Sequence, residues 1–501
     1  MRKAKVALCA LAALASALLA GHARPLELAQ QASTAADLQG KWEGVLGGML
    51  HLVLDINKLP DGSYSGNLNS VDQGAVIPMS AIRLEGGKVH FELTPVGGVY
   101  EGTMNSEGTE MSGTWTQTGA PAQPLVFRRA AAPALQQQPA RTPRPKPFTA
   151  PVEVSASISA IPFPSDGKTH LVYELRVTNY GADDCSLVHL DVLAGAKDQT
   201  TLASYSANDL EAMIARPGLP SASPKAKLAP GTTAIMYLWL TLEKSQQAPD
   251  ALRHKVTVHY GEYDLDPFVA APVTVNRKPI PSLRPPLRSD NWLAGNGPAN
   301  NSPHRRALVP INGHTWIAQR FAIDWVRLFP DGPTYHGDKL DNKNYRAYGE
   351  EALAVAEGAV TETRDGIPEN VPGATSRAVP INMETVAGNH VVLDIGHGFY
   401  ALYAHLQPGS LRVHVGDKVK TGQVIGLVGN SGNSTEPHLH FHLCDASSAL
   451  GCEGLPYTFP SFAVQGEGWG WKSAESKAPA KQHAGELPLQ NWVVSFRVNP
   501  R

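Results

Sequence analysis

Between Asp37 and Arg129 apolar and polar residues alternate in short runs. His51-Leu52-Val53-Leu54-Asp55-Ile56 and Lys88-Val89-His90-Phe91-Glu92-Leu93 are examples, and Asp61-Gly62, Gly86-Gly87 and Glu107-Gly108 separate such runs. A period of two bounded by turn residues predicts antiparallel strands with one buried face. Closing them into a small barrel would remove the exposed edges. Residues 130–150, rich in Ala, Gln and Pro with no apolar period, predict a semi-extended linker. From Val152 to about Val275 strand-like runs return, clearest in Leu171-Val172-Tyr173-Glu174-Leu175-Arg176-Val177 and Ile235-Met236-Tyr237-Leu238-Trp239-Leu240. One short helix is expected there, over residues 209–215. A second Pro-rich passage, from Lys278 to Pro286, opens a last region in which strands and glycine turns again alternate.

Composition agrees with a mainly β chain, because 46 Gly and 40 Pro with 7% aromatic residues favour short strands and turns over long helices. At 501 residues one core is too small an answer. The expected division is a barrel over 37–129, a sandwich over 151–276, a third domain over 285–472 and a tail over 473–501. Gly40-Lys41-Trp42-Glu43-Gly44 and Gly113-Thr114-Trp115 make the first unit resemble lipocalin-like modules, either a binding cup or a spacer whose tryptophans fill the core. Strand spacing in the second unit fits an immunoglobulin-like sandwich. A formal net charge of -2 gives no cationic field of the kind that holds nucleic acid or anionic lipid, so neither is an expected partner.

Arg2, Lys3 and Lys5 precede an apolar run from Val6 to Ala20, and Gly21-His22-Ala23 supplies small residues at a cleavage site. Residues 1–23 therefore read as a signal peptide, and the product as a protein exported to a periplasm or the cell exterior without stable membrane insertion. In an oxidising compartment Cys444 and Cys452, eight apart in one loop, are expected to form a disulfide. Cys185 is left unpaired, and no CxxC spacing suggests a thiolate metal site.

The chemistry concentrates near the end. Pro437-His438-Leu439-His440-Phe441-His442-Leu443 reads as a strand with three histidines on one face. Alone, this is as well explained by solvated surface histidines. Phe399 to Leu406 forms the second half of a hairpin that delivers His405, and Phe321-Ala322-Ile323-Asp324-Trp325 delivers a carboxylate on an apolar strand. An isolated Asp in such surroundings is expensive unless it is paired or metal-bound.

These pieces, in this order and with Gly416-Asp417-Lys418-Val419 and Gly429-Asn430-Ser431-Gly432 between them, resemble the lysostaphin-type (LytM-type) zinc peptidases over roughly residues 319–459. The resemblance implies an antiparallel β peptidase domain and one zinc ion. Asp324 and His440 would bind it, with His405 and His438 beside the open coordination position. Peptide bonds of bacterial peptidoglycan would be the substrate. The family pattern has a histidine four residues before the aspartate, and here Arg320 stands in that place. Arginine stays protonated and cannot ligate zinc. His314, His336 and His442 are the candidate replacements. The alternative is an ion pair between Arg320 and Asp324 in a metal-free, peptidase-like module that binds the wall or regulates another hydrolase. Asp338, Asp341, Asn342 and Asn344 in the 329–348 insertion lack the spacing of a calcium loop and read as solvated polar residues.

Overall fold

The computed structural model describes residues 37–130 and 149–497, apart from 48–49, 73–74, 118–119, 196–199, 220–223 and 374–376. The expected signal peptide and most of the linker lie outside the described residues. The chain divides into two compact units, residues 1–144 and 145–501. Among the described residues the structure is mainly β, and no helix is long and apolar enough to cross a membrane.

In the first unit nine strands run as an antiparallel meander from Gly40–Leu46 to Ala120–Arg129. The first and last strands pair, Trp42 opposite Arg129, while Ala75–Pro78 and Ala81–Glu85 form the two edges. The result is a half-barrel rather than a fully bonded cylinder. Its inward residues, Trp42, Leu54, Phe91, Tyr100 and Phe127 among them, are fully buried in one core.

The second unit begins with two sheets sharing a core. Lys168–Asn179 and Thr233–Glu243 pair along eleven positions in one sheet, and Cys185–Ala194 pairs Ala251–Tyr260 in the other. Leu171, Tyr173 and Leu175 meet Leu190, Val192 and Val256 between them. The short helix spans Ala207–Met213, starting two residues before the expected range because Ser206 and Asp209 form a reciprocal cap.

The remainder is built on an eleven-stranded sheet. Its middle runs Asn389–Asp394, Tyr400–Leu406, Leu439–Cys444, Ile323–Arg327, Trp292–Gly295 and Trp492–Ser495. Strand alternation divides the faces. Ile323, Trp325, Leu439 and Phe441 point into a large apolar core that also takes Phe163 and Val172 from the two-sheet region, while Asp324, His438 and His440 point the other way. The segment read as a tail supplies two strands to this sheet, Lys481–His483 and Trp492–Ser495, because Val493 and Val494 are apolar enough to be fully buried there.

Candidate metal centre and active site

Register assembles the first half of the site. Asp324 lies directly opposite His440 in the Ile323–Arg327 and Leu439–Cys444 pair, and Ala404 lies opposite His440 on its other side. An alanine beside the imidazole leaves room for the cleft, and the next residue, His405, turns its ring into it. His405 has a φ of 65°, a left-handed conformation that costs a non-glycine residue about 1 kcal/mol or more. Its amide donates to the Ala387 carbonyl, and its Nδ1 pairs with the Ser431 carbonyl at 2.8 Å, which together hold the strained turn.

The second half comes from an unexpected place. The loop after Trp292–Gly295 carries His304, twenty residues before Asp324, and brings its Nε2 to 3.3 Å from Asp324 Oδ2. His440 Nδ1 sits 2.8 Å from Asp324 Oδ1, and the His304 and His440 rings meet edge to face at 4.7 Å. Asn296 Nδ2 donates to Asp324 Oδ2 at 2.8 Å, steadying the carboxylate. One donor atom from each of His304, Asp324 and His440 lies within 4.8 Å of the others. Ligand atoms in a tetrahedral zinc site with bonds near 2.0–2.1 Å are about 3.3 Å apart. The His304 to Asp324 separation of 3.3 Å matches that spacing, the His440 to Asp324 separation of 2.8 Å is the shorter one of a hydrogen bond, and two imidazoles with a carboxylate are a donor set zinc accepts. The residues fit the ion.

Two of the expected replacements lie elsewhere. His314 is exposed and packs on Trp316, and His336 stacks on Phe329 and pairs with Asp331 at 3.1 Å. His442 is buried and lines the same cleft, with its Nδ1 2.9 Å from His440 Nε2. An Nε2–H on His440 donating to His442 would leave the Nδ1 lone pair of His440 directed at the centre, the tautomer a ligand requires. Arg320 does not meet Asp324. Fully buried, it faces the two-sheet region, where its Nε and Nη2 donate to the Glu174 carboxylate at 3.2 and 3.1 Å and Nη2 pairs with Glu453 at 2.7 Å. Cys444 and Cys452 are joined by a disulfide, which occupies the sulfurs of a second cluster with His442. Cys185 is free and buried, its thiol pushed up to about 11 by burial.

The cleft has a volume of about 480 Å³ and is lined by His304, His405, His438, His440 and His442, by Asp324 and Arg377, and by small or apolar residues such as Ala387 and Leu402. Its histidines are electrostatically unlike. Burial, together with the charges of His438 and His440, holds His405 well below the usual imidazole range. Burial also pulls down on His438, but the Asp324 carboxylate outweighs it and the net shift is upward. His438 is fixed by its Nδ1, 2.8 Å from the Glu436 carbonyl, which leaves Nε2 3.3 Å from Asp324. Burial opposes the charge on Asp324, yet the neighbouring histidines hold its carboxyl well below the ordinary range. The cleft thus pairs a neutral base with a proton-retaining acid around one anion.

Residues 344–451, which include His405, His438 and His440, match the model for Peptidase family M23. The chain carries an M23 peptidase domain. Relatives are similar over short segments. The peptidoglycan DD-endopeptidase ShyA of Vibrio cholerae is 47% identical over 57 residues, 11% of this chain and 13% of the relative. Endolysin 2638A of Staphylococcus phage 2638A is 34% identical over 137 residues, 24% of this chain and 28% of that one. The chain therefore covers less than a third of either relative. Among solved structures, the catalytic domain of the antimicrobial peptidase lysostaphin from Staphylococcus simulans is 28% identical, with 24% of this chain and 80% of that one covered and a TM-score of 0.15. His304, Arg320 and Asp324 all precede the segment matched to the M23 model.

Proposed function

We propose that this protein is an exported zinc metalloendopeptidase that hydrolyses peptide bonds of bacterial peptidoglycan, with His304 taking the role that position 320 has lost. The observation that carries the reading is the approach of the His304 imidazole to the carboxylate that also receives His440. His304, Asp324 and His440 would hold the ion. When bound, zinc supplies Lewis acidity that polarises a scissile carbonyl and acidifies a water. His405, neutral and with Nδ1 engaged by Ser431, offers Nε2 as a proton acceptor in the cleft. His438, which retains its proton to higher pH, offers an N–H to negative charge growing on the carbonyl oxygen and a proton to the departing amine. The half-barrel is read as a lipocalin-like spacer and the two-sheet region as an immunoglobulin-like positioning module. The relatives named for cell-wall endopeptidase activity support the substrate class.

The substitution at Arg320 favours a second reading, a metal-free module that binds the wall. Metal analysis of the purified protein separates them, combined with release of new amino termini from peptidoglycan with and without chelator. One zinc per chain and chelator-sensitive release are expected. A protein that takes up no zinc and releases nothing overturns the proposal in favour of the second reading.

A further inference from the structure

The loop from Asn296 to Leu308 forms no strand of its own, yet it must hold His304 to within tenths of an ångström. Its anchors lie in the two-sheet region. Arg305, adjacent to His304 and fully buried, donates through Nη1 to Glu174 and through Nη2 to the carbonyls of Tyr173 and Leu238, each at 3.0 Å. Asn300 Nδ2 donates to the Tyr237 carbonyl at 2.9 Å, and Arg306 Nη2 to the Ala212 carbonyl at 2.8 Å. The same Glu174 carboxylate receives Arg320, the residue standing where the family pattern has its ligand. One buried anion therefore does two things. It draws the side chain at position 320 away from the cleft, and it seats the loop that brings a different imidazole in.

We infer that Glu174 is a positioning residue for the metal centre, and that the two-sheet region is a structural part of the site. This rests on the proposed zinc site. Burying a carboxylate between two guanidiniums is a poor means of gaining stability compared with apolar packing, so the arrangement is better understood as fixing one geometry. Removing the anion takes from Arg305 and Arg320 the partner they share, leaving Arg305 on the Tyr173 and Leu238 carbonyls and Arg320 on Glu453, and so loosens the seat of His304 although no ligand has been changed.

The test is zinc affinity by chelator competition in the whole protein, with the absorption spectrum of the cobalt-substituted form as a second readout. Wild type, Glu174→Gln, Glu174→Asp, Asn300→Ala and His304→Ala are compared. Glu174→Gln is expected to weaken zinc about tenfold or more and to shift the cobalt spectrum toward that of His304→Ala, with partial rescue in Glu174→Asp. Should Glu174→Gln fail to fold, Asn300→Ala, which cuts a different tether of the same loop, is expected to weaken zinc several-fold. A folded Glu174→Gln with wild-type affinity and spectrum, or an unchanged Asn300→Ala in its place, overturns the inference while leaving the zinc site standing. A wild-type protein that binds no zinc overturns both.

Discussion

The strand Leu439–Cys444 delivers His440 by pairing with a neighbour on each side, whereas the loop that delivers His304 is held by side chains gripping another region of the chain. On the strand side all six residues are buried and the register alone sets Asp324 against His440. On the loop side, turns such as Ser302 Oγ donating to the Asn296 carbonyl and the Ala307 amide to the His304 carbonyl shape the loop, and contacts with the two-sheet region seat it. The two histidines face the same carboxylate, but one position is set by backbone register against a strand 116 residues away and the other by side chains clamped on an anion 130 residues away. A metal centre of this kind can lose a ligand from its usual place if a second region supplies the rigidity the new one needs.

Changes that touch each side separately should break this comparison in different ways. His438→Ala, on the strand side, is expected to lower kcat by about 10²–10⁴-fold while zinc stays bound, as steady-state rates beside metal analysis would show. Loss of zinc with the activity would mean that His438 is a ligand instead. Glu174→Ala, on the loop side, leaves two buried guanidiniums without their shared anion. A loss of about 3–5 kcal/mol in denaturant unfolding is expected, and a loss under about 1 would mean that the fold does not depend on the clamp.

Acid should loosen the gripping region next. His254, buried against Tyr173, is pushed down to about 4 by burial. The unfolded chain binds a proton near pH 6.5 that the folded one refuses until about pH 4. The contribution of this histidine is therefore constant above 6.5 and falls by about 3 kcal/mol as pH drops through that window. Melting curves from pH 7 to 4 should show the fall, and His254→Gln should make it shallower. The smallest effect is expected at His442. His442→Ala frees His440 Nε2 and should weaken zinc by about tenfold through the lost orientation, and an unchanged affinity would assign His442 to packing alone.

How far the sequence reveals this molecule follows the same division. Strands are legible because periods of two and local turns write them directly into the pattern, Asp324 because it is a lone carboxylate on an apolar strand, and the His438, His440 pair because the combined motifs resemble a known family. His304 is not. It stands in Asn300-Asn301-Ser302-Pro303-His304, a run with no apolar period, and reads as one more loop histidine. A signal did exist. Glu174 interrupts the apolar run Leu171–Val177, and the reasoning that makes Asp324 conspicuous requires a buried cation for Glu174 as well. The arginines that reach Glu174 are Arg305, the neighbour of His304, and Arg320, at the position where the family pattern has its histidine. The edges of the half-barrel are a simpler case, since alternation predicts strands but not whether the last pair of edges will bond.

The central claim is that His304 has become a ligand, and zinc titration by chelator competition in wild type and His304→Ala tests it most directly. One tight zinc per wild-type chain, weakened more than about 100-fold in His304→Ala with the fold retained, is the predicted result. Equal affinity in the two proteins would contradict it.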